Sequence, residues 1–325
     1  MKILFVADPL ETFKTDKDST FAMMREATAR GYQLFACIPT EIFWISGEMV
    51  KAKVLEIALN GKVGAAGRDV QWCEVLSRSV HVLKDFDAVI MRKDPPFDAE
   101  FFYATHFLEQ AKRDGAKVFN EPEALRNHPE KMAVMEFPQY APPTLITQEN
   151  DRIQEFHQQY KDIILKPLDG MGGAGILRIK EDGMNLGSAI EVLTNNGQST
   201  IMVQQYQPAI VKGDKRVLLI DGKPIPYALA RVPQGNDIRG NLAAGAVGVA
   251  QLLADEDKVI AEAVGECLAP RGLLLIGLDF IGNRITEINV TSPTGFQEIT
   301  EQTGFNVAGA FMDAFEVKLK LALTQ

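Results

Sequence analysis

Short apolar runs alternate with longer amphipathic stretches along the first third of the chain. The runs predict strands at residues 2–7, 88–91 and 117–120, and the stretches predict helices at residues 19–31 and 98–115. Asp18 or Ser19 can cap the first helix, and Gly31 can end it. Strands that alternate with helices in this way are typical of an α/β domain with an open parallel sheet.

The remaining two thirds of the chain carry more strand patterns than helical ones. We predict strands on both sides of a glycine-rich loop at residues 170–175, further strands at 201–203, 217–220, 227–232, 274–281 and 284–290, and helices at 255–271 and 307–322. Prolines at positions 138, 142 and 143 indicate irregular chain, and we set a unit boundary near residue 128. The predicted units are an N-terminal α/β substrate domain at 1–128, a small lid at 129–206 and a C-terminal unit at 207–325.

Composition narrows the classes of partner. The chain has 325 residues, enough for two or three compact units, and 34 Lys and Arg against 43 Asp and Glu give a net charge of −9. That balance argues against nucleic acid or an anionic membrane as the main partner. Cys37, Cys73 and Cys267 lack the spacing of a disulfide scaffold or a zinc site. With no signal peptide and no run near the ~18 apolar residues of a membrane span, we expect a cytoplasmic protein.

Three oxygen-bearing side chains lie on two neighbouring predicted strands near the end of the chain. Glu287 and Asn289 alternate with apolar residues, which places both on one face of a pleated strand, and Asp279 lies on the preceding strand. Solvation or salt bridging is the ordinary state of such carboxylates. Mg²⁺ prefers oxygen ligands and is often held by one or two carboxylates plus the phosphates of a nucleotide. The pattern therefore predicts a magnesium site and a phosphate ligand close to it.

The glycine-rich loop at residues 170–175 formally matches G-x-G-x-x-G. A dinucleotide-binding loop opens a helix, whereas the residues after Gly175 alternate as a strand does, and a P-loop would end in Gly-Lys-Ser/Thr. The sequence instead predicts a glycine-rich hairpin. Such a hairpin can fold over a triphosphate because glycine permits a positive φ and leaves backbone N–H groups free for anionic oxygens. A flexible surface turn is the alternative.

Lysines flank both of these features. Lys166 lies in the otherwise apolar strand that leads into the hairpin, where a charge needs a partner, although a lysine that reaches the surface is the alternative. Lys131 lies upstream in a polar stretch, and Lys215 follows the strand at 201–203. Together with the predicted metal site, these residues indicate polyphosphate binding.

Two arginines are candidates for the reacting centre. Arg216 precedes an apolar strand and could stabilise charge on a transferring phosphoryl group, with an ion pair to Asp214 as the structural alternative. Arg231 ends a predicted strand and could bind a substrate carboxylate or phosphate.

Three further segments are candidates for ligand contacts. The chain after the strand at 201–203 could bind adenine through its backbone, the strand end at residues 92–94 is where a substrate meets an open parallel sheet, and the segment after the metal strand could receive a substrate carboxylate. The residues concerned are Gln204, Gln205, Tyr206 and Gln207; Arg92, Lys93 and Asp94; and Ser292, Pro293 and Thr294. The polar, glycine-containing stretch at 232–241 predicts a mobile loop that could close over the cleft, although most such loops are connectors.

Five motifs in this order resemble the ATP-grasp superfamily and, within it, the bacterial glutathione synthetase family. They are RKDPPFD at 92–98, LKPLDGMGG at 165–173, GDKR at 213–216, RGNLAAG at 239–245 and TEINVTSPT at 286–294. The resemblance runs through nearly the whole chain, from residue 18 onward. It implies an ATP-grasp fold with an N-terminal open parallel-sheet (pre-ATP-grasp) domain, a small lid subdomain and a C-terminal α+β domain.

The same resemblance implies roles for individual residues. Lys131 and Lys166 would contact ATP phosphates, Asp214 the ribose, and Arg239 would act from the loop. The other ATP-binding residues would be Gly170, Met171, Gly172, Gly173, Gln204, Gln205, Tyr206, Gln207 and Lys215. The substrate-binding residues would include Ser19 and Asn241, and the ligands of Mg²⁺, or of Mn²⁺, would be Asp279, Glu287 and Asn289.

The resemblance also implies the reaction. A carboxylate of γ-L-glutamyl-L-cysteine would be activated by ATP as an acyl phosphate, and glycine would displace phosphate to give glutathione. A homotetramer would be expected. Another ATP-grasp ligase, D-alanine ligase-like or glutamate ligase-like, is the nearest alternative, and it would lack the motif at 92–98. A non-catalytic ATP-binding module is the alternative from a different class.

Overall fold

The computed structural model describes residues 1–61, 71–235, 240, 242 and 245–324. Sixteen strands and eight α-helices lie in these residues, and the strands form three sheets of seven, four and five strands. The sheets follow one another along the chain, so each is built from one continuous part of the sequence.

The first sheet combines a parallel centre with an antiparallel extension. Its strands are β1 (Lys2–Val6), β2 (Gln33–Cys37), β3 (Ile42–Phe43), β4 (Lys51–Leu59), β5 (Cys73–Val82), β6 (Ala88–Met91) and β7 (Val118–Phe119). Strands β2, β1, β6 and β7 are parallel neighbours, while β3 and β5 flank β4, which pairs antiparallel with β2. The parallel centre agrees with the alternating pattern of the sequence. The extension was not predicted, since most side chains of β5 are exposed and its pattern does not alternate clearly.

Helix α1 (Ser19–Ala29) connects β1 to β2, α2 (Ala99–Arg113) connects β6 to β7, and α3 (Pro122–Asn127) follows β7. Asp18 caps α1 by accepting a hydrogen bond from Phe21 N at 2.7 Å, and Asp98 caps α2 by accepting from Phe101 N at 2.9 Å. A carboxylate at this position satisfies one of the unpaired N–H groups of the first turn. The helix starts predicted from these two aspartates are therefore the observed ones.

The second sheet is small and antiparallel, with the order β10-β9-β11-β8. Its elements are β8 (Thr144–Thr147), α4 (Asn150–Tyr160), β9 (Ile163–Pro167), β10 (Leu177–Ile179), α5 (Leu186–Leu193) and β11 (Ile201–Gln205). It has its own core, which includes Ile153, Leu165, Ile190 and Val203. Strands β9 and β10 pair antiparallel on either side of the glycine loop, as the hairpin prediction required.

The third sheet is antiparallel with the order β14-β13-β12-β15-β16. Its strands are β12 (Asp214–Ile220), β13 (Lys223–Val232), β14 (Val247–Leu252), β15 (Leu275–Ile281) and β16 (Arg284–Asn289), and its helices are α6 (Asp255–Leu268), α7 (Phe296–Thr303) and α8 (Val307–Thr324). Two larger cores contain residues of both the first and the third sheet, such as Phe5 and Leu218. These two sheets are thus packed together, while the second sheet keeps its separate small core.

Helix α8 packs against α1, and Arg30, which directly follows α1, donates from Nη1 to Glu316 Oε1 of α8 at 2.8 Å. Among the described residues, no helix combines the length and the apolar character that crossing a lipid bilayer requires.

Candidate active site

A cavity of about 680 Å³ is lined by residues of the second and third sheets and by residues of α1 and of the loops that follow β1 and β6 of the first sheet. The residues singled out from the sequence that line it are Arg92, Asp94, Lys131, Lys166, Gly170, Met171, Gly172, Gly173, Gln204, Gln205, Tyr206, Gln207, Asp214, Arg216, Arg231, Glu287, Asn289, Ser292, Pro293 and Thr294. Ser19, Lys93, Lys215 and Asp279 do not line it, and Arg239 and Asn241 lie outside the described residues. Segments far apart in the sequence therefore meet in one cleft.

The glycine hairpin forms one wall of the cleft and is tied to the opposite wall by a lysine. Gly172, Gly173 and Gly175 have φ values of 62°, 82° and 72°, a region that other residues rarely adopt, so the turn requires glycine. Lys131 donates from Nζ to Gly170 O at 2.7 Å, and the same Nζ lies 2.9 Å from Glu287 Oε1 on β16. The ammonium of Lys131 thus bridges the hairpin and the strand that carries the predicted metal ligands.

Lys166 lies on β9 and points its ammonium into the cleft. Its Nζ donates to Gln204 Oε1 at 2.8 Å, and Gln204 Nε2 in turn donates to Thr144 Oγ1 at 3.2 Å. Burial, which disfavours the charged form, lowers the pKa of Lys166. An anion bound beside this ammonium would offset that cost.

Two arginines and two aspartates form a buried network at the far wall of the cleft. Arg216 donates to both carboxylate oxygens of Asp279, from Nε at 2.5 Å and from Nη2 at 3.1 Å. Arg231 Nη2 lies 3.0 Å from Asp279 Oδ2 and 2.6 Å from Asp214 Oδ2. Burial alone would raise the pKa of Asp279, but the two guanidinium groups outweigh it and hold that pKa below its usual range. The network fixes both guanidinium groups at the cleft.

The predicted metal ligands are neighbours in the third sheet. Asp279 on β15 pairs with Glu287 on β16, and Asn289 pairs with Gly277, to whose carbonyl its Nδ2 donates at 3.3 Å. The described residues contain no group of three His, Cys, Asp or Glu placed to hold a metal ion. Mg²⁺ does not require one, because one or two carboxylates, an amide oxygen and phosphate oxygens suffice. Glu287 and Asn289, both lining the cleft, fit that donor set, and Asp279, the cross-strand neighbour of Glu287, contributes negative charge beside them.

The structure separates Lys215 from the other residues expected to bind ATP. Lys215 lies between Asp214 and Arg216 on β12, and successive side chains of a strand point to opposite faces. Its Nζ forms an ion pair with the buried carboxylate of Asp257 on α6. The side chain is therefore on the face opposite the cleft.

Two residues expected to bind substrate, Ser19 and Lys93, do not line the cavity and instead contact neighbouring residues of the protein. Ser19 Oγ accepts from Phe296 N at 3.2 Å, and Lys93 Nζ lies 2.8 Å from Asp8 Oδ1. Arg92, by contrast, reaches the cleft wall, where its Nε donates to Thr20 Oγ1 and its Nη2 to Pro293 O, both at 3.1 Å. Burial lowers the pKa of Arg92 to about 10.

Besides Asp8, three acidic residues that were not predicted to belong to the site also line the cleft. Glu130 accepts from Thr291 Oγ1 at 2.5 Å, and burial together with the charge of Glu287 raises its pKa to about 7. Burial likewise raises the pKa of Asp18 to about 6. The third is Glu298, in the first turn of α7. Glu130 adjoins Lys131 in a polar stretch that is typical of a solvated surface, so the neighbouring residues in the sequence do not indicate that Glu130 is buried.

Two side-chain oxygens in the described residues are buried without a hydrogen-bond partner, Asp214 Oδ1 and Glu298 Oε2. Buried polar atoms are nearly always satisfied, so such exceptions call for a physical reason. Both belong to residues that line the cleft. A ligand in the cleft that offers hydrogen-bond donors would satisfy them.

Comparison with known proteins gives two matches that together cover almost the whole chain. Residues 1–126 match the family model of the prokaryotic glutathione synthetase N-terminal domain, and residues 130–304 match that of the prokaryotic glutathione synthetase ATP-grasp domain.

Individual proteins give the same result. A glutathione synthetase of Ralstonia nicotianae is 56% identical over 316 residues, which is 97% of this chain and 95% of that protein. A glutathione synthetase of Bordetella parapertussis is 52% identical, with 97% of this chain and 99% of that protein covered. Among solved structures, a D-cycloserine synthetase superposes with a TM-score of 0.68 at 14% identity, covering 98% of this chain and 99% of that one, which shows a shared fold.

Proposed function

This chain belongs to the prokaryotic glutathione synthetase family, and we propose how the residues of its cleft carry out the reaction of that family. The enzyme is an ATP-dependent carboxylate-amine ligase with an ATP-grasp fold. It joins γ-L-glutamyl-L-cysteine and glycine through an acyl phosphate, and it releases glutathione, ADP and phosphate.

The triphosphate of ATP lies, in this proposal, between the glycine hairpin and β16. The observation that carries it is the position of Lys131, whose Nζ contacts both Gly170 O and Glu287 Oε1. Lys166 supplies a second ammonium on the same side, and burial of that charge favours an anionic neighbour. Backbone N–H groups of the hairpin and these two cations would form a binding site for phosphate oxygens.

The nucleoside end of ATP lies along the segment from Gln204 to Gln207. This segment links the second and third sheets and lines the cleft beside the apolar side chains of Ile164 and Ile281. The unpartnered Oδ1 of Asp214 supports its role as an acceptor for a ribose hydroxyl.

Glu287 and Asn289 would hold Mg²⁺, and Asp279, the cross-strand neighbour of Glu287, would lie next to the ion. When bound, Mg²⁺ neutralises charge on the phosphates of ATP. Asp279 forms ion pairs with both Arg216 and Arg231, so it sets the position of both guanidinium groups beside the phosphate site.

Arg216 and Arg231 would stabilise the negative charge that develops as the phosphoryl group moves to the substrate carboxylate. Their five-donor guanidinium groups suit oxyanions, and Asp279 already fixes their orientation, so little reorganisation is needed during the reaction. Arg92 and the segment Ser292 to Thr294 would receive γ-glutamylcysteine at the end of the cleft formed by the first sheet. Lys93 and Ser19 would support that end, and Arg239 and Asn241 would act from the loop above it, as the family resemblance implies.

We further propose three units at residues 1–128, 129–206 and 207–325, a division supported by the one sheet that each range contains. A cytoplasmic location is supported by the use of ATP as a substrate. A homotetramer is supported by the family resemblance and by exposed apolar side chains on the first unit, among them Trp44, Ile45 and Leu76.

The reaction is tested by phosphate release from purified protein with MgATP. Release is expected only when both γ-glutamylcysteine and glycine are present. Equal or greater stimulation by D-alanine, or none by any pair of amino-acid substrates, would overturn the assignment.

A further inference from the structure

Glu298 is an acidic residue of the cleft to which the proposal above gives no role. It lies in the first turn of α7, lines the cavity, and has an Oε2 atom that is buried without a hydrogen-bond partner among the described residues. A buried carboxylate oxygen without a donor costs free energy, so its retention calls for a compensating ligand.

The start of α7 lies against the reacting centre. Thr294, one turn before Glu298, accepts from Arg216 Nη1 at 3.4 Å, and a Cβ placed on Gly295 would lie 3.8 Å from Arg216 Cγ. The carboxylate of Glu298 is thus on the same side of the cleft as the guanidinium group that faces the transferring phosphoryl group in the proposed function.

Three of the acidic groups around Arg216 already have cationic partners. Asp279 is held by two arginines, Asp214 by Arg231, and Glu287 by Lys131. Glu298 has no ion pair within 4.0 Å in the described part of the chain. Glu130 also lies near Arg216 without an ion pair, but it accepts a hydrogen bond from Thr291 Oγ1. Glu298 Oε2 has no hydrogen-bond donor in that part of the chain, so Glu298 is the better placed of the two carboxylates for a cationic ligand.

Burial raises the pKa of Glu298, as does the charge of Glu301, while a hydrogen bond from its own backbone N–H and the charges of Lys17 and Arg216 lower it. A ligand that donates hydrogen bonds and carries positive charge would relieve this burial cost. Of the groups that the two amino-acid substrates bring, only a primary ammonium has both properties.

We propose that Glu298 binds the ammonium group of glycine and thereby orients the nitrogen toward the acyl phosphate. After the ammonium loses one proton to water, the nitrogen attacks the acyl carbon, and the bond from that carbon to the phosphate oxygen breaks as phosphate leaves. This rests on the proposed function, since it places glycine beside the phosphoryl group that Arg216 contacts. The terminal torsion of a glutamate is broad and two-fold, so either carboxylate oxygen can face the ligand. Glycine is favoured over the α-ammonium of γ-glutamylcysteine because the attacking nitrogen must lie next to the activated carboxyl carbon, on the Arg216 side of the cleft.

The test compares KM values for all three substrates in the wild type and in Glu298→Gln, which keeps the shape and removes the charge. The KM for glycine is expected to rise by about tenfold or more, with the KM values for ATP and γ-glutamylcysteine within about threefold of wild type. Glu298→Asp, which keeps the charge on a shorter side chain, should recover part of the glycine affinity. Glu256→Gln, an exposed position on α6 that does not line the cavity, is the matched control and should change none of the three.

An unchanged KM for glycine in folded Glu298→Gln would overturn the proposal, as would a rise confined to γ-glutamylcysteine. If the Gln variant does not fold, the Asp variant decides by the same criterion: a raised KM for glycine alone supports the proposal, and three unchanged values contradict it. Phosphate release by the wild type with both substrates separates these outcomes from a failure of the proposed function itself.

Discussion

Lys131 Nζ lies 2.9 Å from Glu287 Oε1, and this ion pair connects the glycine hairpin to the strand that carries the predicted metal ligands. Burial alone would lower the pKa of Lys131, but the carboxylate of Glu287 outweighs it and raises that pKa. The ammonium of Lys131 is therefore charged at neutral pH. A phosphate-binding lysine and a metal-binding carboxylate that share one contact are expected to respond together when either is changed.

Replacing Glu287 with Gln removes a charge that balances Lys131 and would hold Mg²⁺. We expect turnover to fall by about 100-fold or more, since phosphoryl transfer depends on that ion, while the melting temperature changes little. Steady-state kinetics over a range of Mg²⁺ concentrations measure the effect. Glu256→Gln, an exposed position on α6, is the control. Near-normal activity of the Glu287 variant at low Mg²⁺ would show that the ligand assignment is wrong.

Lys166 and Lys215 are expected to give opposite results when each is changed to Met. Lys166→Met removes a cation from the cleft, so the KM for ATP should rise by about 30-fold or more, with no loss of thermal stability because a buried charge is also removed. Lys215→Met leaves Asp257 buried without its partner, so the melting temperature should fall, with the KM for ATP within about threefold of wild type. The reverse pattern would place Lys215 in the ATP site.

The comparison of these two lysines also shows what the sequence could reveal. Lys166 can be identified as a candidate site residue from the sequence, because a charged side chain inside an apolar strand needs a partner. Lys215 was assigned to the site with Arg216, although the two-residue period of the strand already places neighbours on opposite faces. The sequence therefore already indicates that Lys215 and Arg216 point to opposite faces, although their place in one basic cluster suggests a shared site.

Other parts of the site had no local signal in the sequence. The glycine hairpin and the two helix caps follow from residue chemistry within a few positions. The burial of Glu130 and the position of Glu298 depend instead on the packing of distant segments, which no period or spacing encodes. The antiparallel extension of the first sheet was missed for a related reason, because the exposed strand β5 lacks a clear alternation of polar and apolar residues.

Gly170 is expected to be sensitive to a single added methyl group. A Cβ there would lie 2.8 Å from Pro167 Cγ and 3.1 Å from Ala174 O, so the hairpin would have to shift. Gly170→Ala should therefore raise the KM for ATP by about tenfold with a small change in melting temperature. Gly187→Ala is the matched control: a Cβ there meets no atom within 4 Å, and alanine favours the helix. Equal KM values for the two variants would argue against close packing of the hairpin on the triphosphate.

Asp18 predicts a pH dependence of stability. Its pKa is raised to about 6, mainly by burial, so its contribution to stability is complete below the unfolded pKa of about 4 and is lost as the pH rises through 6. Asp18→Asn keeps a capping side chain and removes this titration. The variant should gain stability relative to the wild type between pH 5 and pH 7.5, by about 1 kcal/mol after allowance for partial exposure of the group.

Melting temperatures at the two pH values measure this gain. Asp98→Asn, the same substitution at the cap of α2, measures the effect of exchanging a carboxylate cap for an amide cap and is subtracted. A melting temperature of the Asp18 variant that falls, or stays constant, relative to that of the wild type as the pH rises would contradict the prediction.

The central claim is that ATP is held between the glycine hairpin and β16, and a crystal structure of the protein with Mg²⁺ and a non-hydrolysable ATP analogue tests it most directly. The predicted result is a triphosphate in contact with Lys131, Lys166 and the backbone N–H groups of the hairpin, with the metal ion on Glu287 and Asn289. A triphosphate bound anywhere else, or a metal ion without contact to Glu287, would contradict the account.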